Sequence, residues 1–410
     1  MRFQLRVRYL LAPLALCALM LTACGEQPTS VTREQVQSGG EAAAVVALPF
    51  RQIANGSSYN CGLTADGVIY CWGVNNLGQL GDGTFTSRST PRPIPGSRRY
   101  RQITGGGGHV CAVAINDRAY CWGANATGEL GDGTRADRTK STAVLGGLRF
   151  RLLSAGLFHT CGVTLDDRAY CWGTNKQGQL GDGTDEPRRL QPVAVAGTRR
   201  FRVVSAGASH TCGINLDGKA FCWGHGKSGE IGDGTTSVRR TPRAVSGGLT
   251  FSDISTGLAA QSGNYNFTCG VTTSDRAYCW GGNIDGQLGD GTTARRLRPV
   301  AVTGGLRFAS VSARMGYACG LTTADAAWCW GRDDHGQLGD GGPTSGSPSR
   351  PFPTAVSGNL SFTTVRSGWL HACALTPEDA AYCWGSNLSG ELADGIDTGS
   401  STPVRIVADD

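Results

Sequence analysis

Arg168-Ala169-Tyr170-Cys171-Trp172-Gly173 returns with small changes along the whole chain, each time closing on Cys-Trp-Gly. The tryptophans of that tripeptide are Trp72, Trp122, Trp172, Trp223, Trp280, Trp330 and Trp384, separated by 50, 50, 51, 57, 50 and 54 residues. A period near fifty marks a propeller or a solenoid, in which no single unit buries its apolar face alone. Working outward from Trp172, residues 150–156 and 159–164 read as two strands, Asp166-Asp167 as a tight turn and residues 168–173 as a third strand. A polar connection over 175–184 leads to Pro192-Val193-Ala194-Val195, which reads as the start of the next unit. Four short strands per unit make a propeller blade. A solenoid competes, but the uneven spacing and a lone strand at the end favour closure.

Composition agrees. A generic chain of 410 residues holds two or three domains, but one repeat filling nearly all of it argues for a single assembly. The chain has 62 glycines, few helix-forming runs, and short Val, Thr and Tyr segments between turn-forming clusters, which is an all-β pattern. Basic residues number 38 against 32 acidic. Arg2, Arg6 and Arg8 fall in a leader, so the remaining excess is small and implies no nucleic-acid partner. Many arginines, such as Arg88, Arg138, Arg189 and Arg240, belong to one class of loop and read as a solvated rim.

Residues 1–23 read as an export signal, with three arginines before an apolar run from Tyr9 to Leu21 that is short for a membrane span. Leu21-Thr22-Ala23-Cys24-Gly25 looks like a bacterial lipobox, which makes Cys24 the lipidated first residue of an exported, membrane-anchored lipoprotein facing the periplasm or the cell exterior. Acyl chains hold a protein at a bilayer by about 0.8 kcal/mol per buried methylene. Residues 24–45 are polar and aperiodic, a flexible tether, and 46–408 form the propeller.

Fourteen of the sixteen cysteines fall into pairs ten residues apart: Cys61 with Cys71, Cys111 with Cys121, Cys161 with Cys171, Cys212 with Cys222, Cys269 with Cys279, Cys319 with Cys329 and Cys373 with Cys383. In a hairpin turning at the midpoint the two partners lie opposite each other, within disulfide reach, and export supplies the oxidising compartment. Free buried thiols are the competing reading. Zinc is weaker, because the spacing is not that of a short metal-binding loop.

The Gly-Asp-Gly segments around Asp82, Asp132, Asp182, Asp233, Asp290, Asp340 and Asp394 offer one carboxylate each, too few for a calcium loop, and read as turn-capping aspartates. His109, His159, His210 and His371 share a position with Tyr59, Phe267 and Tyr317, so a packing aromatic is expected there rather than a ligand or acid-base group. No nucleophile constellation, phosphate cradle or carboxylate pair stands apart from the repeat, and no catalytic residue, metal or cofactor is assigned.

From Gly156 to Gly183 the chain reads Gly-x-x-His-Thr-Cys-Gly-Val-Thr-x-Asp-x-x-x-Tyr-Cys-Trp-Gly-x-Asn-x-x-Gly-Gln-Leu-Gly-Asp-Gly. This pattern resembles the regulator of chromosome condensation repeat family, over nearly all of residues 46–408. The resemblance implies a seven-bladed β-propeller of four-stranded antiparallel blades, its ring closed by pairing of the chain ends. The cysteine pairs look like those of exported bacterial members. The founding nuclear member is a guanine-nucleotide exchange factor that also binds chromatin, partners an exported chain does not meet, and no exchange residues carry over. A secreted bacterial propeller that inhibits β-lactamases through one face of its ring shows that such folds also serve as pure binding proteins.

Function is therefore sought where the repeat breaks. In the fifth unit, residues 258–267 lengthen what reads as the connection between second and third strands. In the sixth, 341–353 lengthen what reads as the connection to the next blade, on the same side of the disc. The candidate partner site is the arc of Gln261, Asn264, Tyr265, Asn266, Arg295, Arg296 and Arg298, a polar and aromatic mix suited to a protein or glycan. At the C-terminus, Pro403 to Val407 reads as an extra first strand that completes the blade begun at Phe50, with residues 43–48 as its rival. The reading is a monomeric, non-enzymatic, surface-anchored binding scaffold; nucleotide exchange by family analogy, or blocking of an extracytoplasmic enzyme, is the alternative.

Overall fold

The computed structural model describes residues 48–258 and 265–407. The leader, Cys24, the tether, Gln261 and Asn264 lie outside them. The described residues form seven four-stranded antiparallel sheets, each of four strands consecutive in sequence. In the third blade these are an inner strand (Phe150–Ala155), a second (His159–Thr164), a third (Ala169–Thr174) and an outer strand (Arg188–Ala194).

The outer strand corrects one expectation. It pairs with the third strand of its own blade, Tyr170 opposite Ala194 and Cys171 opposite Val193, and does not open the next unit. The C-terminal strand Ser400–Arg405 does the same in the seventh blade, placing Tyr382 opposite Arg405 and Cys383 opposite Val404. The first blade is complete without it, with its own outer strand Arg88–Pro93. Among the described residues the chain ends therefore share no sheet, and the C-terminal strand does not complete the blade begun at Phe50; of its rival, residues 43–48, all but Leu48 lie outside the described residues. The physical reason lies in the seams between blades.

Within a blade the central hairpin sets Cys161 opposite Cys171 and Thr160 opposite Trp172. Alternation then puts the cystine on one face and the tryptophan on the other. Across each seam the aromatic face of one blade meets the cystine face of the blade before it. Phe150, Leu153 and Trp172 pack on Cys111, Cys121, Val113 and Leu130. Seven disulfides form at the expected pairs, which belongs to an oxidising environment. Each Cys-Trp-Gly indole N–H donates to a carbonyl of the preceding blade, as Trp172 Nε1 does to Glu129 at 2.8 Å. The seam between first and last blades is the same: Phe50, Ile53 and Trp72 pack on Cys373, Cys383 and Leu392, and Trp72 Nε1 donates to the Glu391 carbonyl at 2.9 Å. A seam of this kind needs only a whole blade on each side, so no strand exchange is required.

The inner strands surround a central channel of about 540 Å³ lined by small hydroxyl residues such as Thr104, Ser154, Ser205 and Ser255. The chain enters at Leu48 on what we term the lower face, where Phe50 N donates to Asp379 O of the seventh blade at 3.1 Å. Inner strands run from the lower to the upper face. The lower face carries the tight turns between second and third strands, closed in five blades by an aspartate in the left-handed region, such as Asp167 at φ 63°. The upper face carries the connections from first to second and from third to fourth strand. The described ends of both long insertions lie there, on one side as expected, and each insertion joins strands within a single blade.

Candidate functional site

The upper face is built from the repeated loop after Cys-Trp-Gly. Asn75 organises it in the first blade: its Oδ1 accepts from Leu80 N at 2.9 Å and its Nδ2 donates to Thr84 O and Thr86 O, both at 3.1 Å. Asp82 accepts from Thr84 N at 2.8 Å and Thr84 Oγ1 at 2.7 Å, and pairs with Arg88 at 3.0 Å. Burial alone would raise that carboxyl, yet the Thr84 and Arg88 contacts hold it below its ordinary pKa. The same set recurs at Asp132, Asp182, Asp233 and Asp290, so these carboxylates are satisfied by turn donors and an arginine. Among the described residues no group of three or more His, Cys, Asp or Glu side chains is placed to hold a metal ion.

This geometry sorts the candidate arc. Arg296 pairs with Asp290 at 2.7 Å and reaches Thr292 Oγ1 at 3.3 Å, the same loop-closing role as Arg88. Arg295 is exposed, donates to the Lys227 carbonyl at 3.3 Å, and lines a shallow groove of about 260 Å³ with Asn283, Ile284 and Thr293. Arg298 is exposed on the outer strand, against Gly234 of the fourth blade. Tyr265 and Asn266 immediately precede the second strand of the fifth blade, Phe267–Thr272. The Asn266 carbonyl accepts from Gly282 N at 2.8 Å, and its side-chain Oδ1 is buried with no hydrogen-bond partner among the described residues. Gly282, which bonds Asn266, also lines the groove of Arg295, so the fold brings Arg295 into the neighbourhood of Asn266 and leaves Arg298 on the outer strand.

Residues that the sequence did not flag complete the surroundings. Gly316 packs beside Tyr265, Arg332 and Asp285. Asp285 Oδ2 is buried without a partner, and burial raises that carboxyl against the opposing pull of Arg332. Arg332 Nε bonds Asp334 at 2.8 Å, and His335 Nδ1 lies 2.9 Å from the same carboxylate. Despite burial, which acts upward, those contacts bring Asp334 down to about 2. Asp333 takes the place of the organising asparagine and bonds Ser347 Oγ at 2.7 Å, so the sixth-blade insertion completes its own loop. In the fourth blade Gly226 takes that place, and His225 Nδ1 instead bonds the buried Glu230 carboxylate.

At the upper channel mouth six blades have glycine after the inner strand and the sixth has Arg314. Its Nε donates to Ser367 O at 3.0 Å and its Nη2 to Gly105 O at 2.9 Å and to Asn55 O, joining the sixth blade to the next three. Burial lowers the guanidinium to about 10, opposed by Tyr59 and Tyr317. The break from glycine was a readable signal, since a repeat position occupied once by arginine marks a local need. The four histidines are packing residues, as expected. His159 is fully buried with Nε2 2.8 Å from Thr211 Oγ1 of the next blade, and Thr211 Oγ1 itself donates to Gln179 O, so Nε2 carries the proton. Burial pushes His109, His159, His210 and His371 down to about 3.

With this geometry in view, the similarity to known proteins is specific. The family model for the RCC1-like domain matches residues 21–318, and models of the regulator of chromosome condensation (RCC1) repeat match 325–375 and 362–391. The chain is 28% identical over 212 residues to the ultraviolet-B receptor UVR8 of Arabidopsis thaliana, covering 51% of this chain and 46% of the receptor. It is 26% identical over 210 residues to the probable E3 ubiquitin-protein ligase HERC6 of Homo sapiens, covering 49% of this chain and 20% of the ligase. The chain thus spans less than half the length of these curated relatives. Among solved structures it is similar to human WBSCR16 (TM-score 0.72, 18% identity, 83% of this chain and 93% of that one). It is also similar to Prp20p of Saccharomyces cerevisiae (TM-score 0.69, 20% identity, 84% of this chain and 87% of that one). At that identity the likeness speaks for the fold, a seven-bladed propeller. The chain belongs to the RCC1-like domain family.

Proposed function

We propose that this protein is a non-enzymatic, extracytoplasmic scaffold that binds a protein partner through the upper face of its fifth and sixth blades, held at a membrane by a lipid on Cys24. The carrying observation is a pair of buried acceptors, Asn266 Oδ1 and Asp285 Oδ2, that have no donor among the described residues. They lie beside the insertion that breaks the repeat most. A buried acceptor left unmade costs about 1–3 kcal/mol, which a ligand bearing N–H groups recovers. Peptide backbones and lysine side chains supply such donors, and Arg295 with exposed Ile284 extends the contact outward. Prp20p, a propeller of the same fold, is described by its binding to Gsp1p and histones, which favours a protein partner. The test is photo-crosslinking from position 265 on intact cells that make the protein. One crosslinked protein, lost in Asp285→Ala and kept in Arg135→Ala, is expected; crosslinks indifferent to Asp285 would sink the reading.

A further inference from the structure

We infer that the lower face of blades one to five docks on an anionic lipid surface. This face comprises the turns between second and third strands, the crossings between blades, and the second residue of each inner strand. In blades one to five these are residues 51, 65–68, 94–99, 101, 115–118, 144–149, 151, 165–168, 195–200, 202, 216–219, 245–250, 252, 273–276 and 302–307, with fourteen basic and six acidic residues among them. The corresponding turns of blades six and seven have no basic residue and three acidic ones, Asp325, Glu378 and Asp379. Arg405 at the end of the last strand is the nearest basic neighbour there. The face is thus polarised, although the whole chain is nearly balanced.

The charge is interleaved with apolar tips. Ile115, Leu145, Leu165 and Leu216 are 69, 41, 51 and 58% exposed, all on this face of three adjacent blades. Between them Arg118 and Arg149 stand opposite each other across an isolated bridge. Like charges directly opposed are destabilising, and an anion between them removes that cost. Arg98 stands over the Tyr120 ring at 3.7 Å and donates from Nη1 to Ser141 Oγ at 3.1 Å.

The occupant follows from where the chain enters. Leu48 joins the propeller on this face, so everything N-terminal to it is tied here. Residues 24–47 are all that separate the proposed anchor at Cys24 from Leu48. An anchored chain would keep this face next to the bilayer and turn the candidate partner site away from it. Scattered aliphatic tips among lysines and arginines, spread over a flat arc, suit a lipid headgroup boundary. This inference takes the anchor from the reading above, but its test does not.

The ring closes within residues 48–407, so a chain starting at residue 24 with Cys24→Ser keeps every described contact and has no acyl group. It is cosedimented with vesicles of phosphatidylglycerol and phosphatidylcholine, and with vesicles of phosphatidylcholine alone. Partition onto the anionic vesicles only, weakened by salt, is expected. Arg118→Ser with Arg149→Ser should lower it roughly thirtyfold, as should Ile115→Ser with Leu165→Ser and Leu216→Ser, while Arg135→Ser on the upper face changes nothing. Equal partition onto neutral vesicles, indifference to both variants, or binding to poly-glutamate with none to vesicles would overturn the docking, the last assigning the face to an acidic protein. Because the vesicles read the face and not the tether, a negative result stands even if Cys24 proves acylated, and a positive one stands even if it proves bare.

Discussion

At the residue scale, the repeat shows what each position requires through the blades that depart from it. Gly81, Gly131, Gly181, Gly232, Gly289 and Gly339 all have positive φ and lie against the indole of the next blade. The seventh blade has Ala393 there, at φ 47° and buried. An L-residue in that region is strained, so Ala393→Gly is expected to stabilise by about 1 kcal/mol, read as a higher Tm. The histidines supply a second prediction. Folded imidazoles at about 3, against 6.5 for the free group, refuse protons that the unfolded chain accepts. Stability is therefore complete above pH 6.5 and falls as pH drops from 6.5 toward 3. Glu129, Glu230 and Glu391, raised by burial, oppose this near the ordinary carboxylate pKa, because they bind protons more readily when folded. His159→Phe, mimicking Phe267, should flatten the pH dependence by about 1.4 kcal/mol per pH unit within that window. Unfolding free energies measured at several pH values check this, and an unchanged slope would contradict a neutral buried His159.

At the scale of the element, the hairpin is the unit that the cysteines lock. Each disulfide closes a ten-residue separation between facing strand positions. Cys161→Ser together with Cys171→Ser is expected to cost about 2–3 kcal/mol in denaturant unfolding. The loss should also reach the next blade, since Phe201 and Trp223 pack on that cystine. The pairing was legible because a separation of ten about a central turn allows one register. The fourth strand was not. Its residues, such as Pro192-Val193-Ala194, carry no mark saying which sheet edge they join, and the connection before them is long enough to reach either. That assignment depends on the seam, where the partly buried Val193 packs with Phe201 of the next blade.

For the whole molecule, closure by packing makes all seven seams equivalent in kind. A circular permutant that opens the chain at Gly96, between first and second blades, and joins Val407 to Leu48 through a short linker should fold with a Tm close to the parent. Failure of the permutant to fold would contradict seams that are equivalent in kind. Truncation after Thr402 is still expected to destabilise strongly, by several kcal/mol, because it removes Val404 and Ile406 from the seam with Phe50 and Trp72 and strips the edge of Ala381–Gly385. Thermal melts of the two proteins separate the cases, and a truncated chain melting like the parent would contradict the role of the seam.

Sequence by itself determined the blade count, the hairpin register, the disulfides and the packing role of the tryptophans, because period and alternation are local properties of a repeated unit. It also located the insertions and the side of the disc they share. Tertiary structure decided what depends on juxtaposition between units: that Arg296 closes its own loop while Arg295 faces outward, that Arg314 joins the sixth blade to the next three, and that Asp285 and Tyr265 both stand beside Gly316 of the sixth blade. It decided closure as well. Cys-Trp-Gly, read seven times along the chain, does one thing in the ring: each tryptophan seats on the preceding blade's cystine, and the seventh seam completes the circle by the same contact as the other six.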